Sequence, residues 1–353
     1  MVKSGLSPSL NIHRFMLTLY EDSPLQVKKI FNELKRNGVK PNEAIYNLVL
    51  NILARNFDCK SAFQVYEEML HRKCRIAVPN YILLIEAHRY QTERAELLFT
   101  AFKSSVLKSS EHDGEDAAKK TRAPTAAYNA LLSAYSTAAM HDKCEALYSE
   151  MLESGIWPNV STYALLIGSL KEKCDVYKAR EYFLDMINRN IKPTMNVYKT
   201  LFKIHAEAPE NTLANALYDS LIESGDFQQP IDKEILKLLI LANSRCGDYA
   251  KATAYKNLYD NLQDGGVNNG KGLDEEVIEA LMFAASRNIE GEMEMLNYFE
   301  KLHEKSAYSY EIIIQYYINK QNLNKAKEYY LRMTIIGFEC SWQVRKYFSE
   351  STL

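Results

Sequence analysis

The sequence predicts an all-α solenoid of stacked antiparallel helix pairs, on three observations. Tyr128, Tyr163 and Tyr198 fall 35 residues apart, and whole segments repeat with them: 125–159 read TAAYNALLSAYSTAAMHDKCEALYSEMLESGIWPN and 160–194 read VSTYALLIGSLKEKCDVYKAREYFLDMINRNIKPT. Each of these blocks carries two apolar stripes at helical spacing. Composition agrees: 47% hydrophobic residues supply a continuous core, and 13 Gly with 9 Pro among 353 residues argue against a loop-rich or disordered chain. A fixed period of this length in a helix-forming sequence means supersecondary units that bury their apolar faces against their neighbours.

In 160–194 the first helix places Tyr163, Leu166, Ile167 and Leu170 on one face, and the second places Ala179, Tyr182, Phe183 and Met186 on another. Lys173-Cys174-Asp175 forms the turn between them, and the small Ala179 sits where the two helices must approach closely. After the second helix, Asn190 supplies a left-handed stop and Pro193 forbids continuation. Met151 returns as Met186 and Leu221, Pro158 as Pro193, and Gly155 as Gly225.

The same template fits elsewhere with decreasing quality. Residues 43–77 carry Tyr46-Asn47, then Ala62, Tyr66 and Met69, and 195–231 carry Tyr198, Leu201, Ala214, Tyr218 and Leu221. Residues 307–341 carry Tyr310, Ile313, Ile314, Ala326, Tyr330, Met333 and Gly337. Residues 9–42 end in Gly38-Val39-Lys40-Pro41-Asn42, the same terminator as Gly155-Ile156-Trp157-Pro158-Asn159. A Gly247-Asp248-Tyr249 turn leads into a second helix within 233–263, and 78–102 and 275–305 are the most degenerate units. The predicted organisation is therefore N-terminal helical repeats over 1–102, a charged flexible insertion over 103–124 and central repeats over 125–263. A Gly/Asn loop over 264–273 and C-terminal repeats with a capping helix over 274–353 complete it.

Formal net charge is −2, unlike a protein held to RNA mainly through phosphates. The charge is unevenly spread: residues 1–124 hold 19 Lys and Arg against 14 Asp and Glu, and the rest of the chain hold 24 against 31. A polyanion would therefore meet the N-terminal third first. Cys59, Cys74, Cys144, Cys174, Cys246 and Cys340 form no CxxC pair and suit buried or free thiols in a reducing compartment. No run of 18 apolar residues exists to span a membrane. The opening MVKSGLSPSLNIHRF makes a poor signal or transit peptide, which implies a chain without its presequence or a piece of a longer protein.

Motifs for catalysis are weak. Residues 265–271 match GxxxxGK, but Gly272 stands where a magnesium-binding Ser or Thr is needed and no strand precedes it. Glu111-His112-Asp113 lacks a partner His on a helix, and no HExxH or Cys/His ladder occurs, so no metal or cofactor is expected. His88, His141 and His205 stand alone on helices and read as satisfied or exposed side chains. Neither the dense aspartate cluster of a nuclease nor the His-x-Glu with Pro-Cys-x-x-Cys of a deaminase is present.

The order Tyr-Asn-x-Leu-Leu-x-Ala, then Ala-x-x-x-Tyr/Phe-x-x-Met, then Gly-Ile-x-Pro-Asn resembles the pentatricopeptide repeat family across about 9–341. The resemblance implies a right-handed superhelix whose first helices line a groove for single-stranded RNA, with one repeat per base. It implies that bases are read by the residue after the packed tyrosine together with the last residue of the repeat. Carried over by position, these are Asn129 with Asn159, Asn47 with Ala77, Ala164 with Thr194, Glu311 with Ser341, and Lys199 in its block. Asn159 and Asn42 read equally as helix N-caps after a proline turn.

Asn129/Asn159 is the one full amide pair in this set, which in the family leans to pyrimidines; Ala164 cannot hydrogen-bond, and Glu311 would repel phosphate. The expected function is a non-enzymatic organellar, mitochondrial, helical-repeat protein within a large ribonucleoprotein such as the mitochondrial ribosome, contacting rRNA and protein subunits. Two alternatives stay open: a single-stranded RNA-binding factor for stability, processing or translation of a transcript, and a protein-only scaffold.

Overall fold

The computed structural model describes residues 10–109, 117–208, 211–223, 232–262, 274–288 and 290–350, which form nineteen helices and no strand. The chain divides into two compact units, 1–172 with 181–194, and 173–180 with 195–353. The division thus falls inside the repeat 160–194.

The first unit holds α1 (Leu10–Leu19), α2 (Pro24–Arg36), α3 (Glu43–Arg55), α4 (Cys59–His71), α5 (Val78–Ala87), α6 (Thr92–Ser109), α7 (Ala117–Thr137), α8 (His141–Glu153) and α9 (Val160–Ser169). α10 (Val176–Asn188) carries the division. The second unit holds α11 (Met195–Glu207), α12 (Thr212–Glu223), α13 (Lys233–Arg245), α14 (Tyr249–Asn261), α15 (Glu275–Arg287), α16 (Glu292–Lys301), α17 (Ala307–Asn319), α18 (Leu323–Ile336) and α19 (Trp342–Glu350). α6 and α7 reach into the insertion expected over 103–124, to Ser109 and from Ala117. Residues 110–116 lie outside the described residues, as do Glu111-His112-Asp113 and the Gly/Asn loop with its GxxxxGK match.

Packing follows the period. In the first unit α3, α5, α7 and α9 pack side by side as one layer, and α4, α6 and α8 each pack against the helix before them. In the second unit α11, α13, α15 and α17 form the layer of first helices, backed by α12, α14, α16 and α18. The apolar stripes meet between the layers: Tyr46, Leu50, Tyr66, Met69, Tyr163, Leu166 and Met186 are buried, as are Leu201, Phe202, Ala326 and Met333. This is the core expected from the repeat.

Local chemistry explains where helices start and stop. Asn42, Asp58, Asn159, Asp232, Asp248, Ser306 and Asn322 each accept a hydrogen bond from a first-turn backbone N–H of α3, α4, α9, α13, α14, α17 and α18. Such caps satisfy donors that a helix leaves open at its start. Asn190 has φ 58°, the left-handed stop expected from sequence. Between first and second helices the left-handed residue is Phe57, Ala139, Cys174 or Gln321, where 233–263 uses Gly247. A Cβ in that conformation costs roughly 1–2 kcal/mol, while glycine adds a smaller unfolded-state entropy. The exposed Ala139, with φ 54°, is the simplest test. Ala139→Gly is expected to stabilise the chain by about 0.5 kcal/mol, read as a higher urea midpoint.

The tyrosines contribute more than packing. Tyr46 donates to Glu68 Oε1 at 2.7 Å, Tyr128 to Glu150 Oε1 at 2.8 Å and Tyr163 to Asp185 Oδ2 at 2.7 Å. Each acceptor lies 22 residues on, in the second helix of the same repeat. Cations complete the groups: Lys35 and Arg72 on Glu68, Lys103 on Glu150, and Arg189 on Asp185. A buried phenol needs a partner for its O–H, and a carboxylate facing a cation supplies a strong one.

Candidate nucleic-acid interface

Along the layer of first helices, the residue following each packed tyrosine recurs at one helical position. It is Asn47, Ile82, Asn129, Ala164, Lys199 and Glu311 after tyrosine, and Lys237 and Glu279 where Leu236 and Ile278 replace the tyrosine. Asn47, Asn129, Lys199, Lys237, Glu279 and Glu311 reach the start of the next first helix, so the sequence-predicted positions Asn47 with Ala77, Asn129 with Asn159 and Glu311 with Ser341 come together in space. Most of them bind each other.

At the first such boundary Asn47 Nδ2 donates to the carbonyls of Glu43 and Arg75, both at 3.0 Å. Its Oδ1 accepts from Ala77 N and from Asn80 Nδ2, both at 2.9 Å. All four hydrogen-bonding places of that amide are filled by the protein itself. Lys199 forms ion pairs with Asp232 at 2.5 Å and Glu234 at 3.0 Å, and Lys203 also pairs with Glu234. Hydrogen bonding to Asp232 and then Glu234 holds the Lys199 ammonium above its ordinary pKa, and those two carboxyls lie below theirs. Lys237 pairs with Asp274, Ser306 Oγ donates to Glu279, and Ser341 N donates to Glu311 Oε1 at 2.5 Å. Ala164 is half-buried and Thr194 exposed, with no hydrogen bond to make from the alanine.

Asn129 and Asn159 differ. Asn159 Oδ1 caps α9 by accepting from Thr162 N at 3.1 Å, and Thr162 Oγ1 accepts in return from Asn159 N at 3.0 Å. Asn129 Nδ2 donates to Asn159 Oδ1 at 3.0 Å, and Asn129 Oδ1 accepts from Thr162 Oγ1 at 2.7 Å. Three side chains are thereby locked, yet both N–H groups of Asn159 and one of Asn129 have no partner among the described residues. The arrangement presents three open N–H donors against one open acceptor place on Asn129 Oδ1, so it suits a ligand edge rich in acceptors, as the carbonyl face of a pyrimidine is. These donors line a cavity of about 830 Å³ bounded also by Phe57, Arg89, Ser133 and Trp157.

Sequence reasoning missed Thr162 as the third member of this group, and it missed Asp232, Glu234 and Asp274 as partners of the lysines. The signal was available as spacing: the partner of the position in question lies 30 or 33 residues on wherever the period holds. His88 and His141 are buried and bonded locally, His88 Nδ1 to Leu84 O and His141 Nδ1 to Ser169 Oγ. Burial pushes the His88 pKa down, so it stays neutral. Among the described residues no group of three or more His, Cys, Asp or Glu could hold a metal ion, and no helix is long and apolar enough to cross a membrane.

The family model of the pentacotripeptide-repeat region of PRORP matches residues 33–235, more than half of the chain. The chain belongs to the pentatricopeptide repeat family. A second family model, the pentatricopeptide repeat domain, matches residues 1–56. Among curated pentatricopeptide repeat relatives, a chloroplastic protein of Arabidopsis thaliana is 32% identical over 34% of this chain and 15% of its own length. A mitochondrial 15S rRNA processing factor of Debaryomyces hansenii is 21% identical over 64% of this chain and 28% of its own. The chain spans less than a third of the length of these relatives. Of solved structures, the maize pentatricopeptide repeat protein PPR10 is 15% identical, covering 97% of this chain and 56% of that one, with a TM-score of 0.49.

Proposed function

We propose that this pentatricopeptide repeat protein is a non-catalytic RNA-binding scaffold of an organelle, which reads one base at Asn129/Asn159 and otherwise serves as a subunit of a larger ribonucleoprotein. The observation that carries this reading is the contrast among equivalent positions. Asn47 and Lys199 are engaged by several partners within the chain and Lys237, Glu279 and Glu311 by one each, whereas Asn129 and Asn159 line an open cavity with N–H groups that have no partner among the described residues. A protein that read a long sequence would keep such groups free in repeat after repeat. The mitochondrion is the organelle proposed, and the mitochondrial ribosome is the kind of assembly meant, with rRNA and protein subunits as partners. Relatives named as chloroplastic and as a mitochondrial rRNA processing factor support an organellar setting. The near-neutral net charge of −2 supports a body held by protein contacts as well as RNA.

Asn159→Asp separates reading from capping, since a carboxylate still caps α9 but donates nothing. Combined with Asn129→Ala, it is expected to weaken binding to single-stranded pyrimidine RNA by about tenfold while circular dichroism and melting stay near those of the unsubstituted chain. Unchanged RNA affinity would make the pair caps only and defeat the base-reading claim. The slope of affinity against salt, measured in parallel, is expected to be shallow, at about two phosphates or fewer.

A further inference from the structure

We propose that Trp157 is the stacking platform for the base bound by Asn129 and Asn159, and that Arg89 holds an adjoining phosphate of the same strand. The inference rests on the base-reading role of the two asparagines. It adds the face of the base and the backbone to the edge they would contact.

Trp157 sits in the terminator Gly155-Ile156-Trp157-Pro158-Asn159, at the place where the two comparable terminators carry Lys40 and Lys192. That place faces water, which is why lysine suits it, yet here it holds an indole left 69% exposed. What sets it apart from the equally exposed Trp342 is its place on the wall of the cavity that Asn129 and Asn159 line. Its backbone is fixed on both sides: Ile156 N donates to Met151 O at 3.0 Å, Thr125 Oγ1 donates to Trp157 O at 3.3 Å, and Pro158 is buried. The ring therefore stands on an anchored loop two residues from the free donors of Asn159, on the same cavity wall.

Across that cavity Arg89 is held by aromatic faces, 5.4 Å from the Phe57 ring centre and 4.9 Å from that of Tyr90. Its Nε is buried without a hydrogen-bond partner, and its guanidinium forms no ion pair among the described residues. The Glu86 carboxyl on the same cavity wall feels the Arg89 charge, but it forms no ion pair with the guanidinium among the described residues, so the guanidinium keeps N–H donors for a phosphate, which accepts two parallel N–H bonds. Phe57, 60% exposed, adds a second apolar face. Donors on an edge, an indole on a face and a guanidinium for the backbone together describe a seat for one nucleotide of single-stranded RNA.

The chain has two tryptophans, Trp157 and Trp342, so Trp342→Phe leaves Trp157 as the one indole reporter. Titrating that 353-residue variant with octauridylate and octacytidylate is expected to quench its emission with the same midpoint as binding measured by anisotropy. In the unsubstituted background Trp157→Ala is expected to weaken binding about tenfold, and Trp157→Phe to recover most of the loss. Arg89→Met keeps the stem against Phe57 and is expected to lower the slope of log affinity against log salt by about 0.7. If emission does not change on binding, or Trp157→Ala binds like the unsubstituted chain while the Asn129→Ala/Asn159→Asp variant is weakened, the stacking proposal falls and the base-reading role stands. If the unsubstituted chain binds neither oligonucleotide, both fall together.

Discussion

Replacing Asn243 with alanine is expected to lower the unfolding free energy by about 3 kcal/mol. Asn243 is fully buried on α13, and all its hydrogen-bonding capacity is used. Nδ2 donates to Leu239 O at 2.8 Å and to Asn215 Oδ1 at 3.1 Å. Oδ1 accepts from Asn215 Nδ2 at 3.0 Å and from Asn211 Nδ2 at 2.9 Å. Tyr255 OH adds a bond to Asn215 Oδ1 at 3.0 Å, so one cluster joins α12, α13 and α14. Alanine would leave the buried amide of Asn215 short of two partners, and an unsatisfied buried polar group costs more than the bond it lost. Urea denaturation of Asn243→Ala against Asn243→Asp and Asn215→Ala checks this. A double-mutant cycle on Asn215 and Asn243 should give a coupling above about 1 kcal/mol. A loss below about 1 kcal/mol for Asn243→Ala would mean the cluster carries little of the stability.

The second large effect is loss of stability in acid. Burial by itself would raise the carboxyls of Glu68, Glu150 and Asp185, but hydrogen bonds and charge outweigh it. Lys35 and Tyr46 lower Glu68, Lys103 and Tyr128 lower Glu150, and Tyr148, Tyr163 and Arg189 lower Asp185. Glu292 is lowered chiefly by its hydrogen bonds with Lys325 and Tyr317. A carboxyl whose pKa is depressed by folding binds fewer protons in the native state. Its stabilisation is then complete above the unfolded value, about 4, and drains away as pH falls through the folded one. The chain should therefore show a denaturation midpoint that slips a little below about pH 6.5, where the unfolded His88 gains a proton that the folded chain resists, and declines more steeply below about 4.

Asp185 is the sharpest probe, because it accepts from two phenols and a guanidinium at once. Asp185→Asn is expected to cost about 2 kcal/mol at neutral pH and to shrink the decline in acid. An Asp185→Asn chain with an acid profile parallel to the unsubstituted one would rule out Asp185 as a source of the acid sensitivity. Alkali acts on the same groups from the other side. Burial, then the bond to Glu150, pushes Tyr128 up to about 12, so the phenols stay protonated through the ordinary pH range.

Much of this was open to reading from residues alone, for physical reasons that also explain the gaps. Helix pairs follow from apolar period, so Tyr163, Leu166 and Met186 were found as core because burial is what the period encodes. Asn190 was found as a left-handed stop because few side chains tolerate that conformation. The phenol hydroxyls were not assigned, since packing depends on a residue's own face but its O–H depends on an acid 22 positions away. Lys199 read as a cation free to meet RNA, because its neutralising carboxylates lie 33 and 35 residues on, across a repeat boundary. Lys237 was harder still: residues 263–273 displace its partner to Asp274, 37 positions on, so a search at the repeat period would miss it.

The self-bonded Asn47 turns any encounter with RNA at that place into an exchange reaction. An incoming base edge must evict the carbonyls of Glu43 and Arg75 or the donors Ala77 N and Asn80 before it gains anything, and like replaces like. The net enthalpy of such a swap is near zero, so contact there discriminates little and dissociates fast. The same completeness keeps that stretch of the unliganded chain from exposing idle polar groups to chance partners.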